Sequence, residues 1–127
     1  MISRIHSTTI VVSNQDAALD FYVNVLGWEK RLDAQIGDAM RFLTVAPAGA
    51  ATELVLADPV WAGGKDGPTK VGGETGIALL TPDLDATYQT LAARGVQFKQ
   101  PPAVMPWGQP ATWFVDPDGN EFFLAAE

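Results

Sequence analysis

The sequence predicts an α+β fold in which two tandem βαβββ modules form a curved mixed sheet around a cleft. A pattern of one strand, one helix and three further strands occurs twice along the 127 residues. Residues 10–13 (IVVS) match residues 79–82 (LLTP), and the helix-ending Gly27 matches Gly95. Because a βαβββ unit leaves one sheet face uncovered, two such units are expected to curve together around a shared cleft.

The first module contains clear signals for the start and end of its helix. Asn14 is a favourable N-cap residue, and Gly27 is a favourable residue just past the C-terminus. Apolar residues recur at helical spacing between them. The predicted elements are a strand over residues 7–13, a helix over 15–26, and strands over 28–32, 40–45 and 53–57.

The second module ends in a hairpin. Residues 116–120 read Asp-Pro-Asp-Gly-Asn, in which proline presets the first turn torsion and glycine takes the positive φ that closes the hairpin. The predicted elements are a strand over residues 75–81, a helix over 84–94, extended segments over 96–99 and 103–107, and the closing hairpin over 111–125.

The chain is predicted to be one domain over residues 1–127. Module one covers about 1–57, a linker loop rich in glycine and proline covers 58–74, and module two covers about 75–127. Trp61 lies in this linker, where it would either close over a pocket as a lid or hold the loop against the body of the protein.

Composition narrows the classes of function. The net charge of −7 argues against a nucleic-acid partner. The acidic residues are scattered along the chain, which indicates that the charge serves solubility rather than attraction of a cationic ligand. There is no cysteine to form a disulfide or act as a nucleophile. The apolar stretches are too short to cross a bilayer and no signal peptide is evident, so no membrane association and a cytoplasmic location are expected.

Two segments together resemble a known superfamily. Residues 14–28 contain a Phe-Tyr pair and a Leu-Gly pair, and an aromatic strand precedes the Asp-Pro-Asp-Gly-Asn turn. These features resemble the vicinal-oxygen-chelate superfamily, which includes glyoxalase I, bleomycin-resistance proteins and extradiol dioxygenases. The resemblance covers essentially the whole chain and implies the duplicated βαβββ architecture, but one fold hosts many reactions.

The resemblance also implies four positions for metal ligands. Matched one by one, they fall on Ser7, Glu53, Gly76 and Phe123. Only Glu53 is a usual ligand, whereas a metal site needs three or four donors. We therefore expect no metal and no other cofactor, and none of the metal-dependent reactions of the superfamily.

The same matching, combined with strand alternation, predicts what lines the cleft instead. The predicted ligand-binding residues are Ser7, Thr9, Met40, Phe42, Glu53, Trp61, Gly76, Trp107, Trp113 and Phe123. The aromatic members suit a planar ligand, although each could equally fill the core. Glu53 could bind a ligand, act as a general base, or bond structurally to the hydroxyl of Ser7 or Thr9.

These observations predict a metal-free binding protein similar to the bleomycin-resistance branch, with no catalytic residue. It would sequester a hydrophobic or aromatic antibiotic in a cleft at the interface of a homodimer. The alternative is a metal-independent lyase or isomerase that uses Glu53 as general base. A third hypothesis is a small-molecule sensor or accessory subunit.

Overall fold

The computed structural model describes residues 1–62 and 70–127, apart from the side chains of residues 61 and 62. These residues form two compact units, unit one (Met1–Val71) and unit two (Gly72–Glu127). Each unit contains one mixed sheet, which confirms the predicted α+β class. That the two modules make a single domain stays a prediction.

Unit one has the predicted strand, helix and three strands. Its sheet order is β1-β4-β3-β2, with β1 parallel to β4 and the other neighbours antiparallel. The elements are β1 (Ser7–Val11), α1 (Gln15–Asp20) continued by a π-helical segment (Phe21–Val25), β2 (Glu29–Ile36), β3 (Met40–Ala46), β4 (Glu53–Ala57) and the short α2 (Pro59–Ala62).

Helix α1 covers one face of this sheet. The Asn14 side chain accepts a hydrogen bond from the Ala17 N–H at 2.8 Å, which confirms the predicted N-cap. The Gln15 side chain donates to the carbonyls of Arg41 and Leu56, both at 2.9 Å, and so bonds the helix to β3 and β4. Tyr22 is fully buried on this face of the sheet.

Unit two repeats the same strand order. Its sheet is ordered β5-β9-β8-β6, with β5 parallel to β9, and β7 also pairs with β8. The elements are β5 (Gly73–Thr81), α3 (Leu84–Ala93), β6 (Gln97–Phe98), β7 (Ala103–Val104), β8 (Pro110–Val115) and β9 (Asn120–Ala126).

The outer strand of unit two is split, whereas β2 of unit one is continuous. β6 pairs with the end of β8 and β7 with its start, so both lie on the same edge. Pro101 and Pro102 stand between them. Because proline has no backbone N–H to donate, it interrupts pairing at this edge.

Two predicted segments differ from the structure in the type of element, and the strand predicted over 28–32 is longer and runs over Glu29–Ile36. The linker over 58–74 was expected to be a loop, but it contains α2, and β5 begins at Gly73 within it. The segment predicted as a strand over 103–107 is extended only at Ala103–Val104, because Met105 begins a turn. In that turn the Met105 N–H donates to the Gln109 carbonyl at 2.8 Å, and the Gly108 N–H donates to the Met105 carbonyl, also at 2.8 Å.

The β8–β9 turn is held by a buried carboxylate. Asp116 Oδ1 accepts hydrogen bonds from the backbone N–H groups of Asp118 (2.9 Å) and Asn120 (2.8 Å), and Oδ2 accepts from the Asn120 side chain at 2.9 Å. Asp116 and Asn120 are both buried, and Gly119 has a φ of 81°. The predicted hairpin therefore forms around this network.

The same turn positions the start of β5. The Gly72 N–H donates to the Asn120 side-chain oxygen at 3.0 Å, and the Gly73 N–H donates to the Gly119 carbonyl at 2.9 Å. A Cβ on Gly72 would lie 2.8 Å from the Asp118 carbonyl oxygen, so only glycine allows this close approach.

We expect Asp116→Ala to lower the free energy of unfolding by about 2–3 kcal/mol, because it leaves buried N–H donors without an acceptor. Asp116→Asn keeps one acceptor oxygen and should cost less. Urea denaturation followed by circular dichroism measures both variants. Asp38→Ala, in the exposed turn after β2, is the control and should change stability by less than about 0.5 kcal/mol. Equal stabilities of Asp116→Ala and this control would contradict the role given to the carboxylate.

Candidate functional site

The predicted residues on the strands of unit one share the sheet face opposite α1. Ser7 pairs with Glu53 and Thr9 with Val55, and Val55 also pairs with Thr44. Because residues in register have side chains on the same face, this face carries Ser7, Thr9 and Glu53. Met40 and Phe42 alternate with Arg41 on β3 and belong to the same face. Five predicted residues of unit one therefore share one face, with Ser7, Thr9 and Glu53 near one end of the sheet and Met40 toward the other.

Glu53 makes a structural hydrogen bond on this face. Its Oε1 accepts from the Thr44 hydroxyl at 2.7 Å, and the Thr44 oxygen in turn accepts from the Leu32 N–H at 3.1 Å. Thr44 is fully buried. The sequence suggested Ser7 or Thr9 as the hydroxyl partner. The register instead puts Thr44 beside Glu53, because β3 lies on the other side of β4 from β1.

Unit two contains a pocket of about 290 Å³ on its own open face. Three predicted residues, Gly76, Trp113 and Phe123, line it. The remaining lining residues are Glu74, Ile77, Ala78 and Glu121.

The aromatic side of this pocket is a cluster of three rings. The Phe123 ring lies 5.1 Å from the Trp113 ring and 6.2 Å from the Trp107 ring, measured between centroids. Trp107 is 65% exposed, and its indole N–H donates to the Gln109 side chain at 3.0 Å. Met105, Ala111 and Ala125 are buried against Trp113 and Phe123. The predicted aromatic residues of this unit therefore converge.

Gly76 lies in a bulge of β5. The pairing of β5 with β9 shifts between Glu74 and Ala78, so that Ala78 pairs with Phe123. The Thr75 hydroxyl donates to the Glu121 carbonyl at 2.7 Å and accepts from the Ile77 N–H at 3.1 Å. Gly76 takes a φ of 74° in this bulge. In the first repeat, Ser7 occupies the position equivalent to Gly76 and pairs with Glu53. The equivalent pair does not form in unit two, because the bulge makes Ala78 rather than Gly76 the partner of Phe123.

Three charged residues form the polar end of this face. Glu74 pairs with Glu121 across β5 and β9, so their side chains share the face. Lys99 Nζ lies 2.6 Å from Glu121 Oε1, with the Glu121 side chain 9% exposed and the Lys99 side chain 57% exposed. The hydrogen bond and negative charge of Glu121 raise the pKa of Lys99, and the negative charge of Glu74 adds to this effect.

The sequence prediction missed these three charged residues. Glu121 is two positions before Phe123 on one strand, so alternation from Phe123 could have identified it. Glu74 was assigned to the linker, and Lys99 to the end of a short extended segment. Only the pairing of β6 and β9 with their neighbours shows that these residues meet.

A second groove lies on the helix side of unit one. It measures about 320 Å³ and contains none of the predicted residues. Its lining residues are Asp16, Leu19, Asp20, Val23, Asn24 and Lys30. No aromatic ring contributes to it, so the unit-two pocket is the better match to the predicted site. The Trp61 side chain lies outside the described residues.

The residues at the family's metal positions do not fit a metal. Gly76 and Phe123 have no side-chain donor, and the Glu53 carboxylate is bonded to Thr44. Within residues 1–62 and 70–127, no three His, Cys, Asp or Glu side chains form a group that could hold a metal ion. Among the helices that the structure describes, none is long and apolar enough to cross a membrane.

The chain is similar to several known proteins along its full length. A crystal structure of a superfamily member from Sphaerobacter thermophilus DSM 20745 is 57% identical, with a TM-score of 0.94 over 99% of this chain and 98% of that one. TnmS3, an antibiotic binding protein from Streptomyces sp. CB03234, is 38% identical, with a TM-score of 0.80 over 98% and 96% of the two chains. YetH of Bacillus subtilis (strain 168) is 31% identical over 98% of each chain.

A single family model matches residues 4–124, which include both units and the β8–β9 turn. This match confirms the resemblance carried by the first helix and by the Asp-Pro-Asp-Gly-Asn turn. The chain belongs to the Glyoxalase/Bleomycin resistance protein/Dioxygenase superfamily.

Proposed function

We propose that this protein binds a hydrophobic or aromatic antibiotic and confers resistance by sequestering it unchanged. The observation that carries the proposal is the pocket of unit two, in which partly exposed aromatic rings adjoin a polar end. Sequestration requires affinity and no bond rearrangement, so it needs no metal among the lining residues. The similarity to TnmS3, an antibiotic binding protein, supports the same class of function.

The two faces of β8 and β9 distinguish a pocket from a core. Phe114 and Phe122 stack at 5.3 Å on the helix side and are fully buried. Trp113 and Phe123 are their neighbours in sequence on the opposite face, where both rings stay partly exposed. If the second pair only filled a core, we would expect it to be as buried as the first. Exposed rings beside a cavity are instead typical of a surface that receives a flat ligand.

The pocket volume limits the size of what it holds. At about 290 Å³, the pocket is just below the usual range for ligand pockets, about 300–1,000 Å³. It therefore suits one ring system of a ligand rather than an extended molecule. The open face of unit one, with Met40, Phe42 and Glu53, is proposed as a second binding surface.

A homodimer is part of the proposal. Leu32 and Ile36 are exposed apolar residues on β2, which is the outermost strand of its sheet within residues 1–62 and 70–127. Burying such residues against a second copy would remove apolar surface from water. We propose that the ligand lies at the interface of the two copies, in the cytoplasm.

Equilibrium dialysis tests sequestration directly. Purified protein should retain planar fused-ring antibiotics, such as anthracyclines or quinolones, at no more than two per chain, one for each proposed surface, while aminoglycosides should pass freely. Mass spectrometry of the released compound should show an unchanged mass, and light scattering should report a dimer. A new product formed from a retained antibiotic would rule out simple sequestration.

Truncating the aromatic rings should weaken binding. We expect Trp113→Ala and Phe123→Ala each to reduce affinity for a retained antibiotic by about 10-fold to 100-fold, because each removes a large ring from the pocket. Isothermal titration calorimetry measures the change, and circular dichroism checks folding. Leu19→Ala, in the helix-side groove of unit one, is the matched control and should bind like the wild type. Weaker binding by this control alone would relocate the site to that groove.

The alternative function is a metal-independent lyase or isomerase with Glu53 as general base. The specific observation in its favour is a half-buried carboxylate on an open face, oriented by the hydrogen bond from Thr44. The glutamine of Glu53→Gln can still accept the hydrogen bond from Thr44, so we expect this variant to fold. Its affinity for a retained antibiotic should stay within about twofold of the wild type, since a polar group remains at this position. Loss of a measurable turnover in Glu53→Gln, with binding retained, would support the enzyme instead.

A further inference from the structure

We propose that Lys99 determines the ligand specificity of the unit-two pocket by competing with a ligand's cationic group for Glu121. The ligand class that follows is an aromatic ring system bearing a positively charged amine. This inference rests on the proposed binding function and assigns chemistry to the polar end of the same pocket.

The backbone brings Lys99 to the pocket face. Phe98 pairs with Phe114 in the β6–β8 ladder, and the Lys99 N–H donates to the Trp113 carbonyl at 2.9 Å. Lys99 thus continues the ladder opposite Trp113, and directly opposed residues of antiparallel strands have side chains on one face. Its ammonium group reaches Glu121 at 2.6 Å from this position.

Glu121 and Glu74 together favour a positive charge at the polar end of the pocket. They are cross-strand neighbours, and two like charges in register repel each other. The Glu121 side chain is only 9% exposed, so an unpaired negative charge there would be costly. Lys99 supplies one positive charge against two negative ones, which leaves the polar end with a net negative charge.

Lys99 is suited to being displaced. Its side chain is 57% exposed and carries its ammonium on a flexible stem, whereas Glu121 is held within β9. An ion pair in which one partner is largely solvated is weak and exchanges readily. A ligand ammonium could therefore take the place of Nζ beside Glu121, while Lys99 moves into water.

The distance between the aromatic and acidic parts defines the ligand. Glu121 and Phe123 are two residues apart on β9, so their side chains are separated by about 7 Å along the same face. A ring that lies against Phe123 and Trp113 would place an amine on a short arm near the carboxylates. The faces of Trp113 and Phe123 also attract a cation.

Three naphthalene compounds of matched shape test this assignment. They are 1-naphthylmethylamine (cationic), 1-naphthalenemethanol (neutral) and 1-naphthoate (anionic). Isothermal titration calorimetry with the wild type should give affinities in that order. Lys99→Met should raise affinity for the amine about fivefold, the size expected for losing a partly exposed competing ion pair, and leave the alcohol within about twofold.

Further variants separate competition from a structural role. Lys99→Arg keeps the positive charge and should retain the wild-type order. Glu121→Gln should remove the preference for the amine over the alcohol, and Glu74→Gln should reduce it. An ion pair with only a structural role would make Lys99→Met change all three affinities equally, or weaken amine binding, and either result would overturn the proposal.

Failure of this inference is distinguishable from failure of the proposed function. If the three compounds bind equally and Phe123→Ala abolishes their binding, the unit-two pocket is the binding site but the role proposed for Lys99 is wrong. If none of the three binds to the wild type, and no fused-ring antibiotic is retained in dialysis, both proposals are wrong.

Discussion

The buried carboxylate of Asp116 holds the β8–β9 turn, and the binding face of unit two depends on that turn. Its two oxygens bond the backbone of Asp118 and the backbone and side chain of Asn120. These bonds set which residue of β8 faces which residue of β9, and so place Trp113 opposite Phe123. A shift of one residue between β8 and β9 would put Trp113 and Phe123 on opposite faces of the sheet.

The same turn links the hairpin to β5, which supplies the other wall of the pocket. Gly72 and Gly73 bond to Asn120 and Gly119, and Glu74 then pairs with Glu121. Beyond this point the bulge around Gly76 breaks the regular pairing. A single turn therefore positions both the aromatic and the acidic residues of the site, although none of its own side chains lines the pocket.

Duplication of one topology allows the two units to differ in chemistry. The face of unit one carries Glu53, whose carboxylate bonds to Thr44, while the corresponding part of unit two carries Phe123 and the pair of Lys99 and Glu121. The helix-side cores are conventional in both units and consist of buried apolar residues. These charged and aromatic differences lie on the open faces, where side chains can change without disturbing the packing under the helices.

Local sequence determined the elements that depend on neighbouring residues. The Asn14 cap, the helix end at Gly27 and the turn at 116–120 each follow from the chemistry of a few consecutive side chains, and all three form as predicted. Strand alternation also put Trp113 and Phe123 on one face.

Tertiary structure decided the features that need distant segments to meet. The bulge around Gly76 depends on bonds between β5 and β9, the partner of Glu53 comes from β3, and Lys99 reaches Glu121 across β8. Such contacts cannot be deduced from periodicity, because the register between strands far apart in sequence is set by hydrogen bonds that only the folded sheet makes.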